Sequence, residues 1–152
     1  MISYSIPCKN NLSSTFLFNF IKNELEQNNI SDVKLIFDED QKKLYIDTLK
    51  ARIWVDIYNI ETTLKDLKDL KDTVLGESLI LSCFPDKNED DVLYYYMYDI
   101  SSKSRDPETI KIMNKLAYVL SKSENSFILD DNGILVANKG IYLPDEIIKF
   151  IK

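Results

Sequence analysis

Arg52-Ile53-Trp54-Val55-Asp56-Ile57-Tyr58-Asn59 alternates without a break: Ile53, Val55 and Ile57 share one side, while Arg52, Trp54, Asp56 and Tyr58 share the other. A period of two marks a strand with one face in a core, so the fold has to be built around a sheet. Working outward, Val33, Leu35 and Phe37 alternate with Lys34 and Asp38, and Leu44, Ile46 and Thr48 alternate with Tyr45 and Asp47. The polar turn Asp38-Glu39-Asp40-Gln41 joins these two runs into a hairpin. Upstream, Ile2–Ile6 reads as an opening strand. Ser13 and Ser14 then stand ahead of Phe16, Leu17, Phe20, Ile21 and Leu25, whose spacings of three and four predict a helix.

Downstream, a Leu-Lys-Asp triplet repeats from Leu64. Its leucines Leu64, Leu67 and Leu70 hold one helical face only briefly, because a period of three drifts against 3.6, and a short helix is expected. Glu77–Phe84 and Asp91–Asp99 read as further strands with an acidic loop between them. Asp106-Pro107 is a helix start, an N-cap carboxylate followed by a proline where no N–H bond is needed. The helix it opens carries Ile110, Met113, Leu116, Ala117 and Leu120 on one stripe. Asn132-Gly133 predicts a tight type I′ hairpin turn, and Pro144 opens a terminal helix bearing Ile147, Ile148 and Ile151. The expected fold is α+β, an antiparallel or mixed sheet with helices packed on one face. Strand-helix-strand-strand occurs at the start and again near the end, which suggests ferredoxin-like βαββ units. With 3 Gly and 4 Pro in 152 residues there is no linker-like segment, and residues 1–152 read as one domain.

Composition narrows the chemistry. There is no histidine, which removes Ser-His-Asp and Cys-His nucleophiles and histidine zinc sites. Gly76, Gly133 and Gly140 are isolated, so neither a phosphate-cradling loop nor a dinucleotide fingerprint is present. Asp86, Asn88 and Asp90 occupy the first ligand positions of a calcium loop, yet Asp91 stands where that loop needs glycine and Met97 where it needs a bidentate glutamate. No cofactor or metal is expected. Net charge is −6, with 25 acidic against 19 basic residues, and Arg52 and Arg105 are the only arginines. That balance opposes nucleic-acid binding, which depends on Lys and Arg neutralising phosphates. It suits either solubility alone or a basic protein partner drawn in by electrostatic steering. Met1–Pro7 lacks a basic, then apolar leader, and no window approaches the roughly 18 apolar residues of a membrane span. A cytoplasmic chain without membrane contact is expected, with Cys8 and Cys83 as reduced thiols.

One surface stands out. If Leu93 and Met97 face the helices, then Tyr94, Tyr96 and Tyr98 lie on the outer side of the sheet. The same parity places Tyr45, Trp54 and Tyr58 there, with Arg52 and Asp56 among them. Tyr, Trp and Arg are the residues enriched at binding hot spots, and these eight form the expected partner-binding site. Aromatic residues also favour strands simply because they pack across them, which is the alternative origin of the pattern.

In size, acidity and lack of a catalytic motif the chain resembles the small cytoplasmic immunity proteins that bacteria encode beside secreted toxins. The closing run Phe127-Ile128-Leu129-Asp130-Asp131-Asn132-Gly133, after the long helix from Asp106, is similar to several such α+β families. The resemblance implies neutralisation of a cognate, basic toxin domain by direct binding, and carries over no functional residue. Two other functions fit the composition: a small-molecule-binding or regulatory module, and an enzyme using carboxylate or tyrosine acid–base chemistry.

Overall fold

The computed structural model of the chain describes residues 1–10, 14–27, 33–38, 40, 43–68, 84–130, 132 and 140–148. Along the chain run β1 (Ile2–Cys8), α1 (Ser14–Gln27), β2 (Lys34–Asp38), β3 (Lys43–Asp47), β4 (Arg52–Thr63) and α2 (Leu64–Lys68). They are followed by β5 (Val92–Ser102), α3 (Pro107–Ser123), β6 (Ile128–Asp130), β7 (Gly140–Tyr142) and α4 (Pro144–Ile147). The strands form one seven-stranded sheet in the order β2-β3-β4-β5-β1-β6-β7. Every pairing among the described strands is antiparallel, the first of the two expected arrangements.

Both strand-helix-strand-strand units are present, as β1-α1-β2-β3 and β5-α3-β6-β7. The second is a split unit: β5 and β6 run in the same direction, and β1 fills the gap between them. The first crosses three strands to reach the far edge, so the four-stranded ferredoxin order is absorbed into a larger sheet. The strand expected over Glu77–Phe84 lies, apart from Phe84, outside the described residues. The hairpin turn expected at Asn132-Gly133 does not match the observed register. Asp130 pairs with Gly140, which leaves nine residues between them. Asn132 serves elsewhere, donating from its side-chain amide to the Ser3 carbonyl oxygen at 3.0 Å.

The pleat sends Ile2, Tyr4, Ile6 and Cys8 of β1 to the same side as Ile53 and Val55 of β4 and Leu44 and Ile46 of β3. There they meet Leu17, Ile21 and Leu25 of α1 and Ile112, Met113, Leu116, Ala117 and Leu120 of α3 in one core. Each such side chain contributes roughly 1.5–3 kcal/mol by leaving water. Within this layer the Tyr4 hydroxyl donates to Asn114 Oδ1 at 2.7 Å. A second, smaller cluster gathers Leu64 and Leu67 of α2 with Leu93, Tyr94, Phe127 and Ile141.

Helix ends follow local chemistry. Asp106 caps α3, its carboxylate accepting from the Thr109 N–H at 3.0 Å and from the Thr109 and Ser104 hydroxyls. Those bonds hold its pKa down to about 2. The other end of α3 closes with Asn125 in the left-handed region at φ 51°, and its N–H donates to Lys122 O while that of Ser126 donates to Ser121 O. This is the bond pattern of a Schellman stop, with asparagine taking the position glycine usually fills. α2 begins with reciprocal caps: Thr63 Oγ1 accepts from the Asp66 N–H, and the Asp66 carboxylate accepts from the Thr63 N–H.

Candidate partner-binding face

The side of the sheet away from α1 and α3 is built in rows that the register defines. Lys34, Asp47 and Arg52 form the first row across β2, β3 and β4. Ile36, Tyr45, Trp54, Ser101 and Ser3 form the next, and Asp56, Asp99 and Ser5 lie in the one after it. Tyr58, Met97 and Pro7 complete the set. Tyr45 and Trp54 are half-buried neighbours on paired strands. Tyr58 is 42% exposed.

Arg52 is fixed by two contacts. Its guanidinium donates to both oxygens of the Asp47 carboxylate, at 2.6 and 2.9 Å, and lies 4.7 Å from the centre of the Tyr45 ring. The fork geometry orders the arginine against Asp47 and the Tyr45 ring while its side chain stays 44% exposed. The hydrogen bond from Arg52 lowers the Asp47 pKa below the usual carboxylate range and raises that of Arg52.

Asp56 and Asp99 sit directly opposite each other on β4 and β5. Like charges across a pair are unfavourable. Lys43 relieves part of this, its Nζ 3.9 Å from Asp56 Oδ2, and the Ser5 hydroxyl donates to Asp99 Oδ1 at 3.0 Å. Asp56 Oδ1 is out of solvent and accepts no hydrogen bond among the described residues. A buried acceptor without a donor costs free energy that an incoming donor would recover. The neighbouring Tyr58 hydroxyl has its pKa raised, by burial first and then by Asp99 and Asp56.

Five of the eight expected site residues are therefore together: Tyr45, Arg52, Trp54, Asp56 and Tyr58. The other three are not on this face. Tyr98 pairs with Ile57 and Ile6, is fully buried, and packs in the main core. Tyr96 has the same parity and packs against that core, half-buried. Tyr94 is 2% exposed and belongs to the second cluster, in edge contact with Phe84 and Phe127. The observed parity of β5 is the inverse of the expected one, which rests on Leu93 and Met97 as core residues. They are indeed buried, but Met97 is so on the outer face, between Tyr58 and Pro7. The decisive signal lay three residues on: Asp99-Ile100-Ser101 puts Ile100, and with it Tyr98 and Tyr96, on the apolar side. The observed parity brings a further tyrosine to the outer side. Tyr95 shares the side of Met97 and is 51% exposed.

A separate cavity of about 630 Å³ opens at the end of α3. Its wall carries the ring trio Phe84, Tyr94 and Phe127, with centroids 5.7 to 6.4 Å apart. Lys9, Lys122, Ser126, Leu143 and Asp145 also line it. Ser126 is 3% exposed, and its hydroxyl has no hydrogen-bond partner among the described residues. Lys122 is committed to the Tyr118 hydroxyl at 3.1 Å and to Asp145 at 3.7 Å.

Other candidate groups have structural duties. The loop at Asp86–Asp91 turns on itself, with the Asn88 N–H donating to Asp91 Oδ2, and its Glu89 and Asp91 carbonyls accept from the first N–H groups of α2. Burial pushes the Cys8 thiol up to about 12 and raises the Tyr4 and Tyr98 hydroxyls well above the ordinary tyrosine value. These groups stay protonated at neutral pH. Cys83 lies outside the described residues. No helix among the described residues is long and apolar enough to cross a membrane.

No family model, curated protein or solved structure matches this chain.

Proposed function

We propose that the protein is a non-catalytic binding protein, an immunity protein that neutralises a cognate bacterial toxin in the cytoplasm by occupying it directly. The observation that carries this reading is the outer face of β3 and β4. Tyr45, Trp54 and Tyr58 form an aromatic rim beside two opposed carboxylates, and one oxygen of Asp56 has no donor among the described residues. A toxin surface that presents a lysine or arginine flanked by apolar side chains would bury against the rings and satisfy that oxygen. Fully desolvated aromatic and charged anchors of this kind dominate binding energies. The chain's net charge of −6 would speed the encounter with a basic domain.

The test is co-expression with the product of the adjoining gene. The parent chain should protect cells and co-purify in fixed stoichiometry. Trp54→Ala and Asp56→Ala should lose protection while still unfolding cooperatively. Full protection by both variants sinks the face, and an adjoining product that is neither toxic nor bound sinks the immunity reading.

The cavity at the end of α3 favours a second reading, a small-molecule module. Aromatic walls, the Ser126 hydroxyl, which is buried without a partner among the described residues, and the cation of Lys9 suit an aromatic carboxylate, and about 630 Å³ is within the range of ligand pockets. A panel of aromatic carboxylates that raises the melting temperature of the parent, but not of Phe127→Ala, would favour it. No shift with any member removes it.

A further inference from the structure

β2, Lys34-Leu35-Ile36-Phe37-Asp38, is one edge of the sheet: it pairs with β3 on one side and with no strand among the described residues on the other. An open edge presents unpaired N–H and C=O groups and is a template for a further strand. Its sequence is self-complementary. We infer that β2 pairs antiparallel with β2 of a second copy about a two-fold axis at Ile36, giving one continuous sheet of fourteen strands.

In that register Ile36 faces Ile36 of the second copy, Leu35 meets Phe37, and Lys34 meets Asp38 at both ends. A parallel pairing would set like charges side by side. The choice is reinforced by the rows already in the sheet. Arg52, Asp47 and Lys34 alternate in sign toward the edge, and so do Asp56, Lys43 and Asp38. One row ends at the edge positive and the other negative, and the two-fold axis joins each to its opposite. Cross-strand pairs of opposite charge stabilise a sheet, and like pairs destabilise it.

The layer above fits as well. α1 lies across β2 and β3. A two-fold axis at the β2 edge therefore brings the two α1 helices to the same side of the joined sheet, flanking the seam. Between α1 and β2 runs a groove of about 370 Å³ that includes Phe18, Leu25, Val33 and Leu35, and the two-fold axis sets the grooves of the two copies beside the shared seam. Both outer faces then look the same way, so a dimer would offer two binding faces side by side. The inference does not depend on what those faces bind.

The test combines sedimentation of the full chain with cross-linking. Ile36→Cys, in a chain carrying Cys83→Ser, should form a disulfide-linked dimer on mild oxidation, since directly opposed residues lie within disulfide reach. Lys34→Cys and Asp38→Cys should each fail to link alone and should link when mixed. Lys34→Asp and Asp38→Lys should each weaken the homodimer about tenfold or more, and an equimolar mixture of the two variants should recover dimerisation. Recovery on mixing separates pairing from a folding defect, since each chain keeps the same internal charges alone and in the mixture. A monomer at millimolar concentration, or a dimer that links through Lys34→Cys alone but not through Ile36→Cys, overturns the inference.

Discussion

The two faces of this one sheet carry similar aromatic residues to opposite ends. On the inner face Tyr4 and Tyr98 are fully buried and pack with α1 and α3. On the outer face Tyr45 and Trp54 are half-buried and Tyr58 is 42% exposed, beside the ion pairs of Lys43 with Asp56 and Arg52 with Asp47. What separates them is parity: along β4 and β5 one step in the chain moves a ring from core to surface. A tyrosine on a strand thus says little by itself. Its neighbours at odd and even spacing decide whether it supports the fold or is free to meet a partner.

That contrast can be broken most readily at Tyr98. Tyr98→Ala should cost about 3–5 kcal/mol in urea unfolding, as for other large core truncations, whereas Trp54→Ala should cost about 1 kcal/mol. Equal losses would mean that the outer face is as well packed as the inner one. A finer cut uses hydroxyls alone. Tyr4→Phe leaves Asn114 Oδ1 without its donor and should cost about 1–3 kcal/mol, while Tyr58→Phe should be neutral within about 0.5 kcal/mol.

Asp106→Ala should destabilise by about 1 kcal/mol through loss of the α3 cap. Because the folded pKa is depressed from 3.8 to about 2, the carboxylate's contribution is complete above 3.8 and fades as the pH falls toward about 2. The gap between parent and variant should therefore close on acidification, and a gap that persists there would contradict the capping role.

The smallest effect is expected at Glu124. Burial raises its pKa, and it sits at the C-terminal end of α3, where negative charge is disfavoured. A raised carboxyl pKa favours the protonated form, so stability is present below the ordinary value of 4.5 and is lost as the pH rises through the folded value. Glu124→Gln should raise the melting temperature at neutral pH and leave it unchanged in acid. A lower melting temperature at neutral pH would show that the charge is compensated in the fold.

Much of the fold was legible because single residues act through strong local rules. The alternation of Ile53, Val55 and Ile57 marked β4. Asp106-Pro107 located the start of α3, and the stripe from Ile110 to Leu120 marked its buried side. The ends of strands were not legible. β4 runs on to Thr63 through an irregular stretch between Asn59 and Thr62, where register is set by the partner strand and not by its own pattern. The site was half legible for the same reason. Tyr45, Trp54 and Tyr58 sit in strands whose apolar side is unambiguous. In β5, Leu93, Tyr94, Tyr95, Tyr96, Met97 and Tyr98 offer apolar bodies at every position, and only the polar Asp99 and Ser101 fix the side. The cavity at the end of α3 left no trace in the sequence, since Lys9, Phe84, Ser126 and Leu143 are brought together only by tertiary packing.

Trp54 is the only tryptophan in the chain, so its fluorescence reports on the outer face alone. Titration of the parent chain with the adjoining gene's product, following Trp54 emission and its quenching by acrylamide, tests the central claim most directly. Binding at the β3 and β4 face should shift the emission to shorter wavelength and protect Trp54 from the quencher in step with complex formation. Tight binding that leaves both unchanged would place the partner elsewhere on the molecule and contradict the account.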